Sequence, residues 1–282
     1  MTTVKLFNVQ GAEVKTINLP KQFEEEVNVD LIKRAVLAVQ NSKRQKYGAF
    51  EEAGKRSSAK LSRRRKKYRT GYGRAASRVP RKVMWRRGTQ FGLEGAFAPG
   101  IKGGRRAHPP KEKDFTVKIN KKERRKAIRS ALAATINSEL VGIRHQLPKT
   151  VPLVVEQKIE DFSRTKEFKN LLLKLGFEKE MLRLDKKKVR AGKGKLRNRK
   201  YKVKRGPLVV VSKECSLEKA SRNLQGFEIV HVNSLNAELL APGAVPGRLL
   251  IWSQPALERL EKEKLFTNSP IAVKKEKENE SG

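Results

Sequence analysis

The segment from Lys46 to about Asp114 constrains the fold most, because it cannot contribute to a hydrophobic core. It has almost no apolar periodicity, and glycines and prolines are spread along it. Such a composition buries too little apolar surface to offset the loss of chain entropy on folding. A structureless segment of this length is uncommon inside a compact domain unless it has a function. We therefore interpret residues 46–114 as an extended loop inserted in a folded domain.

Positive charge is concentrated in two segments. The chain has 66 Lys and Arg against 29 Asp and Glu, a formal net charge of +37. Residues 43–113 hold 23 basic and 4 acidic residues, and residues 186–205 hold 12 basic residues and no acidic one. A compact chain of this charge repels itself, and a bound polyanion relieves the repulsion. The sequence therefore predicts a nucleic-acid partner and a second basic insertion at residues 186–206.

The flanking sequence, residues 1–45 and 115–266, predicts a single α/β globular domain. Apolar alternation predicts a hairpin near the start of the chain, and Asn28 is placed to cap a helix that runs to about Gln45. Four short apolar runs then alternate with helical segments: Val151–Val155, Leu208–Val211, Ile229–Val232 and Leu249–Trp252. This pattern predicts a mostly parallel sheet with helices on both faces, a Rossmann-like arrangement. Residues 267–282 are expected to form a polar tail.

Basic and aromatic side chains are interleaved in the loop, which is typical of RNA-binding segments. Arg binds phosphate bidentately and stacks on bases, and aromatic rings stack on unpaired bases. The candidate RNA-binding residues of the loop are Arg63, Arg64, Arg65, Lys66, Lys67, Tyr68, Arg69, Tyr72, Arg74, Arg78, Arg81, Lys82, Trp85, Arg86, Arg87, Arg105, Arg106 and His108. Those of the second insertion are Lys186, Lys187, Lys188, Arg190, Arg197 and Arg199. A solvated basic segment remains the alternative for both, most of all for the second.

Signals of enzymes, metal sites and membrane proteins are weak. The glycines at 71–73 and 100–104 neither follow a strand nor continue into Gly-Lys-Ser/Thr. Ser212 follows an apolar run but lacks the Gly-x-Ser-x-Gly frame, and we interpret it as a helix cap. Cys215 is the single cysteine, which excludes a cysteine-based zinc site. We predict no catalytic residue, metal, cofactor, small-molecule substrate or membrane partner. A Rossmann-like nucleic-acid-modifying enzyme and a free chromatin-like protein remain alternatives.

Four stretches resemble one known family. They are Arg69–Ala75, Trp85–Gly88, Gly103–Pro110 and Asn120–Ala134. The first three resemble the internal loop of the fourth large-subunit ribosomal protein family in its archaeal and eukaryotic branch, and the last resembles the helix that follows that loop. The long basic C-terminal extension of eukaryotic members is not found here, so the archaeal type is the better match.

The resemblance implies a structural constituent of the large ribosomal subunit that binds large-subunit rRNA. The loop would thread the rRNA core, and its tip would line the nascent-peptide exit tunnel. By motif match, the tip comprises Arg69, Gly71, Tyr72, Gly73, Arg74, Trp85 and Gly88. The expected partners are rRNA and neighbouring ribosomal proteins of the large subunit. We expect a cytoplasmic, ribosomal location and no homo-oligomer.

Overall fold

The computed structural model describes residues 2–59, 79–88 and 90–268, and the chain divides into two compact units. The body is drawn from residues 1–43 and 116–282, and the inserted unit from residues 44–115. In chain order the elements are β1 (Thr3–Phe7), β2 (Glu13–Asn18), α1 (Val29–Ser42), β3 (Arg81–Arg87), β4 (Gln90–Gly95), α2 (Lys121–Ala134), α3 (Ser138–Gly142), β5 (Leu153–Val155), α4 (Thr165–Lys174), α5 (Glu178–Asp185), β6 (Lys188–Val189), β7 (Tyr201–Lys202), β8 (Leu208–Val211), α6 (Leu217–Ser221), β9 (Glu228–His231), α7 (Ala237–Leu240), β10 (Leu250–Ser253) and α8 (Gln254–Lys262).

The body is built on a six-stranded sheet in the order β2-β1-β5-β10-β8-β9. Only the β1–β2 pair is antiparallel, and the other four pairings are parallel. Parallel neighbours need long crossovers, which the helices between the strands provide. The predicted α/β class with a mostly parallel sheet is therefore confirmed.

Each face of the sheet carries its own hydrophobic core, because successive strand residues point to opposite sides. Leu208 and Val210 belong to one core, together with residues of α1, α2 and α8. Val209 and Val211 belong to the other, together with residues of α4. Full burial of a Leu or Val side chain contributes about 1.5–3 kcal/mol. Continuous apolar runs therefore suit strands that are covered on both faces.

Asparagine side chains define the first turn and the first helix. Asn8 Oδ1 accepts hydrogen bonds from the N–H groups of Gln10 and Ala12 in the turn between β1 and β2. Gly11 in that turn has a φ of 79°, which favours glycine. The Asn28 side chain accepts from the Leu31 N–H and caps α1, as the sequence predicts, although the helix ends earlier, at Ser42.

The inserted unit contains regular structure that its composition does not predict. β3 and β4 pair as an antiparallel hairpin, from Arg81 opposite Gly95 to Arg87 opposite Gln90. The prediction of an irregular segment is therefore wrong for residues 81–95. The register shifts between Val83 and Trp85. This bulge hides the alternation of the strand from a pattern search.

Candidate nucleic-acid interface

The two ends of the inserted unit lie side by side. The Ala49 N–H donates to the Pro110 carbonyl at 2.9 Å. The Tyr47 ring stacks on Phe115 with 6.0 Å between centroids. Gly54 has a φ of 73°, and a Cβ there would lie 2.3 Å from the Gly104 carbonyl oxygen. The outgoing and returning segments are thus held together at this glycine by close backbone approach.

The hairpin presents apolar and cationic side chains together. Val83, Met84 and Trp85 are 55%, 60% and 54% exposed. Arg86 and Arg87 follow directly and are exposed as well. Three consecutive large apolar side chains in water are unfavourable unless a partner covers them. A tryptophan ring beside arginines provides a stacking surface for bases and donors for phosphates.

Gly92 gives the Trp85 ring its position across the hairpin. A Cβ at residue 92 would lie 2.1 Å from Trp85 Nε1 and 2.5 Å from Cδ1, so the indole packs against the bare backbone of β4. On the same hairpin, the Arg86 guanidinium carbon lies 5.3 Å from the centroid of the Phe91 ring. The ring face of Trp85 is thereby oriented by the protein before any ligand binds.

The structure brings some of the predicted loop residues together. Arg81, Lys82, Trp85, Arg86, Arg87 and Gly88 share the β3–β4 hairpin. Arg105 and Arg106 line a groove of about 760 Å³ formed by both ends of the inserted unit, and His108 is exposed nearby in sequence. The following predicted residues lie outside the described residues: Arg63, Arg64, Arg65, Lys66, Lys67, Tyr68, Arg69, Gly71, Tyr72, Gly73, Arg74 and Arg78.

The second basic segment forms a small ladder in the body. Lys188 pairs with Lys202, and Val189 pairs with Tyr201. The chain between the two strands includes a 3-10 turn, Gly192–Arg197. Arg190 Nε donates to the Arg199 carbonyl at 3.1 Å, which joins the two sides of the segment. Lysines directly opposite each other repel, so this ladder favours a bound anion.

The basic segment borders a cavity of about 990 Å³ in the body, which we call the cationic cavity. Ten Lys and Arg side chains and two glutamates contribute to its lining: Lys43, Arg144, Arg183, Lys186, Lys187, Lys188, Lys202, Lys204, Arg205, Arg248, Glu228 and Glu238. Sequence reasoning identified Lys186, Lys187 and Lys188 but missed Lys43, Arg144, Arg183 and Arg248. These four stand far apart in the chain, and only the fold assembles them.

Arg248 is the most buried of these cations, with 1% of its surface exposed. Its Nε donates to the Gly206 carbonyl at 2.9 Å, and its Nη1 donates to Glu228 Oε2 at 2.8 Å. Burial, followed by the charges of Arg205 and Arg144, lowers the pKa of Arg248 to about 9. The side chain therefore remains charged at neutral pH, in surroundings that disfavour its charge.

A buried network holds Arg183 at the cavity. Its Nε and Nη2 donate to the two oxygens of Glu180 at 2.7 and 2.6 Å, a bidentate pair. Glu180 also accepts from His145 Nδ1 at 2.7 Å and from the Gln146 N–H. Burial raises the pKa of Glu180, but the hydrogen bonds from Arg183 and His145 outweigh it, and the pKa lies below its ordinary value. Burial lowers the pKa of His145, so the ring is favoured in its neutral form.

At the carboxyl edge of the parallel sheet, a carboxylate of the protein binds backbone and hydroxyl donors. Ligands of open α/β sheets bind at this edge. Here Glu160 Oε1 accepts from the Ser212 N–H at 2.8 Å, and Oε2 accepts from Ser212 Oγ at 2.7 Å. Ser253 Oγ donates to the same carboxylate. Ser212 is thus not a helix cap, since the next helix begins at Leu217. The Ser212 N–H and the Ser212 and Ser253 hydroxyls at this edge therefore already bind Glu160.

Within residues 2–59, 79–88 and 90–268, no helix is long and apolar enough to cross a bilayer. In the same ranges, no group of three or more His, Cys, Asp and Glu side chains is placed to hold a metal ion.

Comparison with known proteins gives a consistent result. Residues 17–263 match the model of the family described as "Ribosomal protein L4/L1 family". The chain is 53% identical over 267 residues to the large ribosomal subunit protein uL4 of Nanoarchaeum equitans, covering 93% of this chain and 99% of that protein. It is 42% identical over 265 residues to uL4 of Methanosphaera stadtmanae, covering 92% and 96% of the two chains. It is 44% identical over 260 residues to uL4 of Methanocaldococcus jannaschii, covering 90% and 96%.

Proposed function

The chain belongs to the ribosomal protein L4/L1 family and is of the archaeal type, and from that membership we propose that it binds large-subunit rRNA through its inserted unit. Its role in the ribosome is structural. The protein acts by neutralising phosphates and by filling space between RNA helices. Neighbouring ribosomal proteins are its other partners, and its place of action is the cytoplasmic ribosome.

The exposed face of the β3–β4 hairpin carries this proposal. The Trp85 ring packs against the backbone of Gly92. Val83 and Met84 precede it in the strand, and two arginines follow it. Free in water, this surface is unfavourable. Against RNA, each stacked base contributes about 1–3 kcal/mol, and each arginine binds phosphate or a base edge. The chemistry of the hairpin thus fits unpaired nucleotides better than it fits solvent.

We extend the proposal to the nascent-peptide exit tunnel. The motifs Arg69–Ala75 and Trp85–Gly88 resemble the tunnel-lining loop of the family. Trp85 and Gly88 belong to the hairpin, where Gly88 has a φ of 55° in the turn. Arg69, Gly71, Tyr72, Gly73 and Arg74 are assigned to the tip by the motif alone. In this proposal the long loop threads the rRNA core and exposes these residues to the passing peptide.

The body contributes a second RNA-binding surface in our proposal. The like-charged pair of Lys188 and Lys202 is stabilised when a phosphate lies between the two ammonium groups. Arg190, Arg197 and Arg199 would extend this surface. We also retain the Rossmann-like description of the body as part of the proposal. It concerns architecture only, because Glu160 occupies the edge at which cofactors bind in such folds.

Salt dependence of RNA binding tests the proposed function. If about nine basic groups of the inserted unit contact phosphate, log Kobs should fall against log[salt] with a slope of about −6 to −8. The full chain is titrated with large-subunit rRNA and, as the control, with random RNA of the same length. We expect a steep slope on both and a clear preference for rRNA at moderately high salt. Equal affinity for both RNAs at that salt would identify a free basic protein instead.

A further inference from the structure

The cationic cavity holds more positive charge than its own acids neutralise. Both of its glutamates are already paired, Glu228 with Arg205 and Arg248, and Glu238 with Lys43. Within the described part of the chain, no carboxylate lies within ion-pair distance of Arg144. Positive charge enclosed by low-dielectric walls raises the local concentration of anions. The cavity therefore favours an anionic ligand.

Arg248 supplies a fixed part of that charge, because its side chain is buried and held in place. Besides Gly206 and Glu228, it donates to the Leu239 carbonyl at 2.9 Å. Its Nη2 has no hydrogen-bond partner among the described residues. A buried donor without a partner is costly, more so when it is charged. An anion in the cavity lowers this cost by lying in the field of the guanidinium.

Arg144 and Arg183 add charges that disfavour each other in the free protein. Burial, followed by the charge of Arg183, lowers the pKa of Arg144. Arg183 is immobilised by Glu180, and its Nη2 also donates to the Arg205 carbonyl at 2.9 Å. The fold thus keeps arginines close together although their repulsion destabilises it. A site prepared for a negative charge explains this arrangement.

The residues around the cavity indicate which anion it takes. Within the described ranges no aromatic ring lines it, so bases have no surface on which to stack. Its arginines match the geometry of phosphate oxygens. The exposed Lys188–Lys202 ladder continues the positive charge outward from the cavity. We infer that the cavity receives a phosphate group of the ribosomal RNA backbone, an inference that rests on the proposed function.

The stability and the phosphate affinity of an Arg144 variant together distinguish a binding role of this residue from a structural role. Replacing Arg144 by glutamine removes a repulsive charge without breaking an ion pair. The free protein should therefore be as stable as wild type or more stable, while its affinity for phosphate falls. A residue that only supports the fold would show the opposite pattern, with lower stability and unchanged binding.

The experiment uses the full chain with two probes, inorganic phosphate and large-subunit rRNA. The cavity variant is Arg144→Gln with Lys187→Gln, two lining cations. The matched control is Arg164→Gln with Lys166→Gln, which removes one exposed arginine and one exposed lysine elsewhere in the body. At constant ionic strength, phosphate in place of chloride should raise the melting temperature of wild type and control by a few degrees. The cavity variant should show less than half of this shift.

On rRNA, the cavity variant should bind at least about tenfold more weakly than the control, since charge-assisted hydrogen bonds are lost. Its salt slope should be shallower by about 1–2. If cavity variant and control respond alike to both probes, the inference is wrong while the proposed function stands. A phosphate response confined to the inorganic ion, with equal rRNA affinities, would also contradict it. Failure of wild type to select rRNA would instead contradict the proposed function.

Discussion

The inserted unit and the cationic cavity of the body present positive charge in opposite ways. In the inserted unit, Arg86 and Arg87 are exposed on a hairpin and stand next to exposed apolar side chains. In the body, Arg248 is buried, Arg183 is locked by Glu180, and the charges converge on a concave surface. The first surface suits stacked bases and phosphates together. The second suits phosphate alone and is formed before any ligand arrives.

The difference determines whether concentrated charge costs free energy mainly on binding or mainly on folding. An exposed cation is solvated, so it costs little until it is ordered by binding. A buried cation costs the fold free energy at all times, and a bound anion relieves the part that the protein's own carboxylates leave uncompensated. We therefore expect changes in the inserted unit to affect mainly RNA affinity. Changes in the cavity should alter the stability of the free protein as well.

Removal of the inserted unit should have the largest effect on binding. In the variant, a short Gly/Ser linker replaces Gly48–Pro110. Affinity for large-subunit rRNA should fall by orders of magnitude, because most phosphate contacts leave with the segment. Unfolding of the body should stay cooperative, since loop closure changes stability by only about 0.6 kcal/mol for each doubling of length. Denaturant unfolding and filter binding measure the two properties.

A second variant of the same chain serves as the control for this deletion. Replacing residues 269–282 by a Gly/Ser segment of the same length leaves every residue named for the two surfaces unchanged. This control should bind rRNA almost as wild type does. Equal losses in the linker variant and in the control would show that the inserted unit has no special part in binding.

Arg248→Gln should have the largest effect on stability. The substitution removes the buried partner of Glu228 and leaves the Gly206 and Leu239 carbonyls without their donor. Breaking a buried pair of this kind costs about 3–5 kcal/mol. Arg86→Gln, on the exposed hairpin, should change stability by less than about 0.5 kcal/mol. Chemical denaturation compares the two variants, and similar losses would remove the distinction between the two surfaces.

Sequence patterns predict the body well, because its elements follow from local rules. The Asn28 cap and the first hairpin lie where the patterns place them, and each of the four apolar runs overlaps a strand whose bounds differ from the run by no more than two residues. The cationic cavity could not be predicted, since Arg144, Arg183 and Arg248 come from separate parts of the chain. Arg248 offered one signal, as an isolated charge directly before an apolar strand. The β3–β4 hairpin was missed because its bulge interrupts the alternation. Asn120 occupies the N-cap position of α2, and its side chain makes no capping hydrogen bond.

Acid should weaken the body through the network behind the cavity. The pKa of Glu180 is lowered on folding, so its contribution is complete above the ordinary pKa of Glu and is lost as the pH falls through the folded value. The pKa of His145 is lowered too, so stability begins to fall below its ordinary value of 6.5. The free energy of unfolding should therefore decrease from pH 7 to pH 4. His145→Gln should flatten the part of this dependence that begins at pH 6.5, and Glu180→Gln should flatten only the part below the ordinary pKa of Glu. The exposed Glu167→Gln should flatten neither part.

Gly92→Ala should have the smallest effect of the set. The new methyl group meets Trp85 at 2.1 Å, so the indole must leave its place on β4. We expect rRNA affinity to fall by roughly threefold to tenfold, since one stacking contact is worth about 1–3 kcal/mol and part of it can re-form. Gln90→Ala on the same strand serves as the control. Tryptophan fluorescence follows the ring, and an unchanged signal with unchanged affinity would mean that its position does not matter.

Cosedimentation with ribosomal subunits tests the central claim most directly. The full chain is added to a lysate, the subunits are separated on a gradient at moderately high salt, and the protein is quantified in each fraction. Our account predicts that it travels with the large subunit, in about equal amount to the other proteins of that subunit, and that the linker variant is retained less well. Recovery in the free fraction, or equally with both subunits and with bulk RNA, would contradict it.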